Sequence, residues 1–391
     1  MIGIRVDANS MIATGHMMRC ITIARAVISG GESVTFFIAD EESGRLLDKN
    51  RGDLTDINIV VLGSAWDDME GELPILIEQL QLRGIDTLLV DSYKVTYDYF
   101  KAIDRVCRTA YIDDLHEGIY PVDILINYSG YYDMFDYERD YSNVHGHDTE
   151  PARLLLGLMY APLREQFHTD DMGDTGDSHD KKSGTALLRE DANSDEIKGE
   201  EMEKADMDIL FACGGADTQD MILPTLKVVA DRGLCKNSMV WHTVVGDYVE
   251  NAESIEAFAS MHDGIKIHRS VQDMASLMRC CDLAVVAAGT MLTECAAMKL
   301  PAVFYQVADN QRYGVEYWSK PDRMIYAGDV CKDKDGVIAA IIREVSALSK
   351  DRDRLSEISK SIGSITDGKG AKRIAEIICE ENETSYHRRL G

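Results

Sequence analysis

No stretch of this 391-residue chain approaches the roughly 18 consecutive apolar residues that a membrane-spanning helix needs. The amino terminus lacks the basic stretch and the apolar core of roughly 7–15 residues that mark a secretory signal. It opens directly on a strand-like run, Ile2–Val6. Positive charge is scarce: 41 Lys and Arg stand against 68 Asp and Glu, a formal net charge of -27. Nonspecific nucleic-acid binding, which needs a basic stripe along the phosphates, is excluded by that balance, and docking on an anionic bilayer is disfavoured. A small anionic ligand is not excluded, because one site can be electropositive inside an acidic protein. The nine cysteines are odd in number, irregularly spaced and free of any CxxC pair. They read as free thiols in a reducing compartment rather than as a disulfide framework. No GxGxxG with a downstream acidic ribose ligand occurs, so a dinucleotide enzyme is disfavoured. The expectation is a soluble cytoplasmic protein.

What is present is an alternation of short apolar runs with amphipathic stretches. Strands are expected at Ile2–Asp7, Ser33–Ala39, Ile57–Leu62, Thr87–Asp91, Ala110–Asp113 and Ile124–Asn127. A helix is expected over Gly15–Gly30, with Met18, Ile21, Ala24 and Ile28 on one face, and another over Pro74–Arg83 with Pro near its start. The second half repeats the pattern. Its strands are expected at Asp208–Ala212, Met239–Val245, Ile265–His268, Leu283–Ala287 and Pro301–Tyr305, with helices Val271–Arg279 and Met291–Met298 and only helices after residue 305. The last helix is expected at Lys369–Glu381, closing the fold. Such alternation implies βαβ units and parallel sheets, hence an α/β protein with two Rossmann-like halves. Between His168 and Asp206 the character changes: 13 acidic and 5 basic residues with almost no aliphatic periodicity. That composition reads as a flexible acidic insertion with a short helix around 195–204. The expected domains are therefore 1–167, an insertion 168–206, and 207–391.

Ligands of open parallel sheets sit beyond the carboxyl ends of the strands. The first strand ends at Asp7, and the loop Ala8–Gly15 leads into a helix that begins Gly15-His16. Gly15 allows a ligand close to the backbone. His16 falls at the helix amino terminus, where the dipole favours the neutral imidazole that a general base requires. A histidine that only caps or packs fits the same spacing. Asp7 either orients His16 or bonds the loop backbone, and Arg19 either faces a phosphate or pairs with an acid. Asp91-Ser92-Tyr93 and Tyr111-Ile-Asp113-Asp114 end neighbouring strands, with Tyr128 and Tyr131 as aromatic surface suited to a sugar. In the second half, Cys213-Gly-Gly-Ala-Asp217 and Ala288-Gly-Thr-Met-Leu-Thr-Glu294 are Gly-containing strand ends. Each presents backbone N–H groups at a helix start, as a diphosphate would need. Thr290 adds a hydroxyl, and Glu294 a carboxylate able to accept from a ribose diol.

At these residues the chain resembles a known family. Arg5-Val-Asp7…Thr14-Gly-His16-Met-Met-Arg19 is similar to the opening of the UDP-2,4-diacetamido-2,4,6-trideoxy-β-L-altropyranose hydrolases of pseudaminic acid biosynthesis. Val90-Asp-Ser-Tyr93, Gly157-Leu-Met-Tyr-Ala-Pro-Leu-Arg164-Glu-Gln-Phe167, Gly214-Gly-Ala-Asp217, Gly289-Thr-Met-Leu-Thr-Glu294-Cys-Ala and Asp309-Asn-Gln311 agree in order. The Gly-Gly and Gly-Thr…Glu segments also occur in the related UDP-GlcNAc glycosyltransferase of peptidoglycan synthesis. The resemblance implies a GT-B-like fold, two Rossmann-like domains with parallel sheets facing across a cleft. It also implies hydrolysis of the bond between the anomeric carbon and the UDP oxygen, with inversion. His16 would be the base, and Asp7, Gly15, Arg19, Tyr93, Asp217 and Gln311 would lie at the substrate. Gly214, Gly215, Gly289 and Thr290 would approach the pyrophosphate, Glu294 would hold the ribose, and the backbone near Ile267 would read uracil. Thr293 stands where family members often carry Asn, and the acidic insertion is outside the family pattern. The implied partner is a small-molecule UDP-sugar, with no cofactor, no metal, no nucleic acid and no membrane insertion, on a monomer. The competing readings are a glycosyltransferase of the same fold and a nucleotide-sugar-binding protein without chemistry. A nucleotide-sugar 2-epimerase is a further one, less well matched by the acids and bases present.

Overall fold

A computed structural model describes residues 1–9, 15–148, 150–169, 207–236 and 239–380. Nearly all of the acidic insertion and the helix expected around 195–204 lie outside the described residues. The chain divides into two compact units, one of Met1–Arg164 with the residues from Gly368 onward and one of Glu165–Asp367.

Unit 1 is built on a seven-stranded sheet. Its strands are β1 (Ile2–Val6), β2 (Val34–Ile38), β3 (Ile57–Val61), β4 (Thr87–Asp91), β5 (Arg108–Ile112), β6 (Ile124–Asn127) and β7 (Arg153–Leu156). All pairs are parallel and the order is β3-β2-β1-β4-β5-β6-β7. Parallel sheets need cover on both faces, which is why β1, β2 and β4 are buried along their whole length instead of alternating. One face packs Ile4, Val6 and Phe36 with helix Gly15–Ser29, and the other packs Phe37, Leu88 and Val90 with Leu76 and Phe100. Chain order reverses between β1 and β4, so the crevice at their carboxyl ends is the topological switch point of this sheet.

Three expectations need correction here. Helix Gly370–Cys379 belongs to unit 1, and residues 165–167 to unit 2, so the boundaries 1–167 and 207–391 do not hold. The reason is apolar: Ala371, Ile374 and Ile378 join the cluster of Met17, Ile21 and Ala24 on helix 15–29. Covered by the sheet and by this second helix, helix 15–29 buries Met17, Cys20, Ile21, Ile23, Ala24 and Val27 rather than the single expected stripe. The helix expected from Pro74 begins at Met69, capped by the Asp68 carboxylate, and Pro74 lies inside it.

A charged network lies inside unit 1. Arg5, wholly buried in β1, donates from Nε to Glu72 Oε1 at 2.7 Å, from Nη2 to Glu72 Oε2 at 2.6 Å and from Nη1 to Asp7 Oδ2 at 2.6 Å. Tyr99 OH and Ser64 Oγ donate to the same Glu72 carboxylate. Each buried charge therefore has a partner, as low dielectric demands.

Unit 2 repeats the architecture with β8 (Met207–Ala212), β9 (Met239–Val245), β10 (Ile265–Arg269), β11 (Leu283–Ala287), β12 (Ala302–Gln306) and β13 (Ile325–Asp329). The order is β10-β9-β8-β11-β12-β13, all parallel, with the switch point between β8 and β11. β13 was not expected after residue 305, nor was β7 in unit 1. Trp241, Phe211, Tyr305 and Ile341 anchor the core of this unit. Among the described residues no helix is long and apolar enough to cross a membrane.

Across β8, β9 and β10 of unit 2 runs a chain of polar side chains. His242 Nε2 lies 3.1 Å from Asp208 Oδ1, and His242 Nδ1 lies 3.0 Å from His268 Nε2. Burial, with His242 alongside, pulls the His268 pKa down from 6.5 to about 4. The unfolded chain therefore takes up this proton before the folded one does, and stability falls as the pH drops from 6.5 toward 4. His268→Gln is expected to flatten that part of the stability curve, read as urea midpoints across the acid range. An unchanged slope would show that His268 titrates alike in both states.

Candidate functional site

The carboxyl end of β4 is a buried aspartate, Asp91, whose side chain is 0% exposed. A carboxylate in that position must be paired, and its partners come from helix 15–29, which follows the neighbouring strand β1. His16 and Arg19 are three residues apart on that helix and so share one face. His16 Nδ1 lies 2.6 Å from Asp91 Oδ1. Arg19 grips the same carboxylate with both arms, Nε to Oδ2 at 2.5 Å and Nη2 to Oδ1 at 2.5 Å. The next two strands contribute at their own carboxyl ends. Asp114, beyond β5, accepts from Arg19 Nη1 at 2.7 Å, and Tyr128, beyond β6, meets the same nitrogen through its OH at 2.6 Å. Tyr93, two residues past Asp91, donates its OH to Asp114 Oδ2 at 2.9 Å. It also sets its ring edge-on to His16, with centroids 4.6 Å apart and planes at 82°. Asp91, Tyr93, Asp114 and Tyr128 therefore sit at or just past strand ends, and His16 and Arg19 reach them from the helix that follows β1.

The geometry points to the tautomer. Asp91 is acceptor-only when ionised, so Nδ1 of His16 carries the hydrogen in this contact, and in the neutral ring the lone pair is on Nε2. Arg19 Nη2, which donates to Asp91 Oδ1, also lies 3.0 Å from His16 Nδ1, but the shorter 2.6 Å approach of Nδ1 to an ionised carboxylate needs a hydrogen on that nitrogen. Burial opposes the Asp91 charge, yet Arg19 outweighs it and, with His16, holds this carboxyl well below the usual range. Burial pushes the Tyr93 and Tyr128 phenols up, so both stay protonated. A carboxylate–imidazole pair with a free Nε2 can take a proton from an O–H, the task such a pair performs in hydrolase triads.

Asp7 does not meet His16: its oxygens accept from Arg5 and, at 2.7 Å, from the Ala39 N–H. The acid that orients His16 is Asp91, and Arg19 pairs with acids. Sequence reasoning named Asp91, Asp114 and Tyr128 only as lining. What could have singled out Asp91 is its place as the terminal residue of a strand beside β1. Tyr111 is core, and Asp113 is occupied by the Leu115 and His116 N–H groups and by Tyr137 OH.

In unit 2 both Gly-containing turns flank the switch point, one after β8 and one after β11. They are not equivalent. Asp217, at φ 44, turns its carboxylate onto the N–H groups of Met221 at 2.8 Å and Ile222 at 2.9 Å. It thus occupies the helix start itself, and the expected anion site there is filled by the protein's own acid. Ahead of it Gly214 (φ 79) and Gly215 are exposed, with open space where a Cβ would sit. Gly246, after β9, packs so closely that a Cβ would lie 2.2 Å from Gly215 O. After β11, Gly289 (φ 156) leads into helix Thr290–Ala297, whose start has no side-chain cap. Gly289 and Thr290 are exposed, Thr293 is buried and Glu294 half-buried. Gln311 is a brace between strand ends, accepting from Val307 N at 2.9 Å and donating to Ala288 O at 2.6 Å. Ile267 is half-buried on β10, the edge of the sheet.

No family model matches the chain. A UDP-N-acetylglucosamine--N-acetylmuramyl-(pentapeptide) pyrophosphoryl-undecaprenol N-acetylglucosamine transferase of Haemophilus ducreyi is 28% identical over 134 residues, 33% of this chain and 37% of the relative. The match thus spans little more than a third of that curated relative. Solved structures are similar over nearly the whole length. MurG of Acinetobacter baumannii has a TM-score of 0.59 at 12% identity, covering 96% of this chain and 98% of that one. UGT89C1 of Arabidopsis thaliana, complexed with quercetin, has a TM-score of 0.59 at 10% identity, covering 97% and 99%. MnaA of S. aureus, solved with UDP, has a TM-score of 0.55 at 11% identity, covering 100% and 97%. The two parallel α/β units, of seven and six strands, and the likeness to these structures over nearly the whole length make this chain a GT-B fold.

Proposed function

We propose that this chain is an enzyme that moves the glycosyl group of a UDP-sugar from the diphosphate oxygen to an oxygen nucleophile deprotonated by His16. The observation that carries the reading is the His16 Nδ1–Asp91 contact of 2.6 Å, which leaves Nε2 as a base. In the reaction the nucleophile's O–H proton goes to Nε2, its oxygen bonds the anomeric carbon, and the carbon–oxygen bond to UDP breaks with the electron pair leaving on UDP. The uncapped helix start at Gly289-Thr290, with its N–H groups and positive dipole end, receives the departing diphosphate. Gly214 and Gly215 let the diphosphate close to the backbone. Glu294 accepts from the ribose diol, the backbone at Ile267 reads the uracil, and Thr293 and Tyr93 lie by the sugar.

The nucleophile distinguishes two readings. An alcohol makes the chain a glycosyltransferase, the reading supported by the transferase of Haemophilus ducreyi and by the glycosyltransferase structures that share its fold. Water makes it a UDP-sugar hydrolase of the pseudaminic acid type. One observation favours that second reading: the segments carrying the hydrolase resemblance, Gly15-His16…Arg19 and Asp91-Ser92-Tyr93, come together in a single network. Incubation of the protein with UDP-GlcNAc and UDP-diacetamido-trideoxyhexoses, with and without alcohol acceptors, separates them. UDP release that needs an acceptor is the transferase result, and release in water alone is the hydrolase result. UDP binding without release from any donor would overturn the enzymatic reading.

A further inference from the structure

We propose that Arg19 is a positioning residue. It locks Asp91 in the pose that holds His16 by Nδ1, and it divides its charge between two carboxylates so that Asp91 does not trap the imidazole in its protonated form. The inference rests on the base role given to His16 and deepens it.

An ion pair between an aspartate and a histidine carries a conflict. The carboxylate that orients the ring also stabilises imidazolium, and imidazolium is no base. Among the described residues, the groups facing His16 are Asp91 from the end of β4, Tyr93 from the following loop and Arg19 from its own helix. Arg19 in turn faces Asp114 and Tyr128. With both tyrosines neutral, two carboxylates share one guanidinium. Arg19 lies on the Asp91 carboxylate through two arms, so that acid's charge is cancelled at the edge where His16 binds it. Asp114 draws part of the same positive charge away. The pull on the His16 proton is thus set by how Arg19 is divided between the two acids.

Arg19 is poorly placed to serve a substrate phosphate instead. Its side chain is 10% exposed, and Nε, Nη1 and Nη2 all meet protein acceptors. Its guanidinium carbon lies 5.4 Å from the centre of the Tyr128 ring. Four of its five N–H bonds are taken, so no pair of the planar fork is left for a bidentate phosphate contact.

The test uses two substitutions whose effects have opposite signs. Asp114→Asn keeps the shape and the acceptor for Tyr93 while returning Arg19 to Asp91. Arg19→Gln removes the positive charge and leaves two acids near the ring. The His16 proton is followed directly by histidine-selective NMR titration, a readout independent of turnover. Relative to wild type, the His16 midpoint is expected to move down in Asp114→Asn and up in Arg19→Gln, each by about 1 pH unit. The acid limb of kcat/KM should move with it, and UDP affinity should change less than about threefold. Arg19→Lys, which keeps charge but not the fork, should hold the midpoint and lower kcat. Shifts of the same sign, or none, overturn the proposal. So does a tenfold or larger loss of UDP affinity in Arg19→Gln, which would make Arg19 a phosphate ligand. Should Arg19→Gln not fold, the downward shift in Asp114→Asn decides alone. Opposite midpoint shifts in a protein whose turnover ignores pH and His16 would sink the base reading while leaving the charge division standing.

Discussion

His16→Ala is expected to lower turnover by about 10²–10⁴-fold, the range for losing a general base, while UDP binding stays near wild type. Binding should survive because the groups assigned to the diphosphate, Gly214, Gly215, Gly289 and Thr290, belong to unit 2. The fold should survive as well. Asp91 keeps two bonds from Arg19 when the imidazole is gone, so no buried charge is orphaned. His16→Gln should fare no better, since an amide cannot take up the proton. Initial rates of UDP release, set beside calorimetric UDP titrations of the same preparations, give both quantities. Near-normal turnover in His16→Ala would remove the imidazole from the chemistry altogether.

The largest stability loss is expected from Glu72→Ala. Arg5 is wholly buried, and two of its bonds end on the Glu72 carboxylate. Truncation leaves a guanidinium with Asp7 alone, and strands the hydroxyls of Tyr99 and Ser64. Breaking one side of a buried ion pair costs about 3–5 kcal/mol, a large share of the roughly 5–15 kcal/mol that holds a domain together. The denaturant midpoint of unit 1 should fall accordingly, with little effect on the transition of unit 2. Replacing the pair together, Arg5→Met with Glu72→Leu, should recover most of the loss, because apolar side chains of similar volume remove the charge instead of orphaning it. A Glu72→Ala unfolding free energy within about 1 kcal/mol of wild type would show that water or another group already serves Arg5.

The strands nearest the centre of each sheet are legible in the sequence because burial on both faces makes them near-continuous apolar runs, as in Leu283–Ala287 and in Ile2–Val6, which only Arg5 interrupts. β7 and β13 are not. Arg153–Leu156 is four residues long with an exposed start, and Ile325–Asp329 carries Gly328 at φ 130 and is buried nowhere along its length. His16 stands out from its place after the first strand. Its partner does not, because Asp91 is 75 residues away and only the strand order β1-β4 makes them neighbours. The two Gly-containing turns look alike as sequences. Only the backbone at Asp217 shows that one helix start is already occupied and the other open.

The packing of helix Gly370–Cys379 against helix 15–29 has a consequence for how the protein comes into being. A ribosome delivers residues 1–164 first, but the helix that bears His16 and Arg19 then has one flank bare. Its cover, Ile374 and Ile378, is synthesised only after all of unit 2. The histidine's own helix is therefore completed only after unit 2 has been made. Unit 2 can finish folding during synthesis while unit 1 waits for residues 370–379. A chain released after residue 128 but before residue 370 would carry every residue of the His16 network and still lack the helix that seats it.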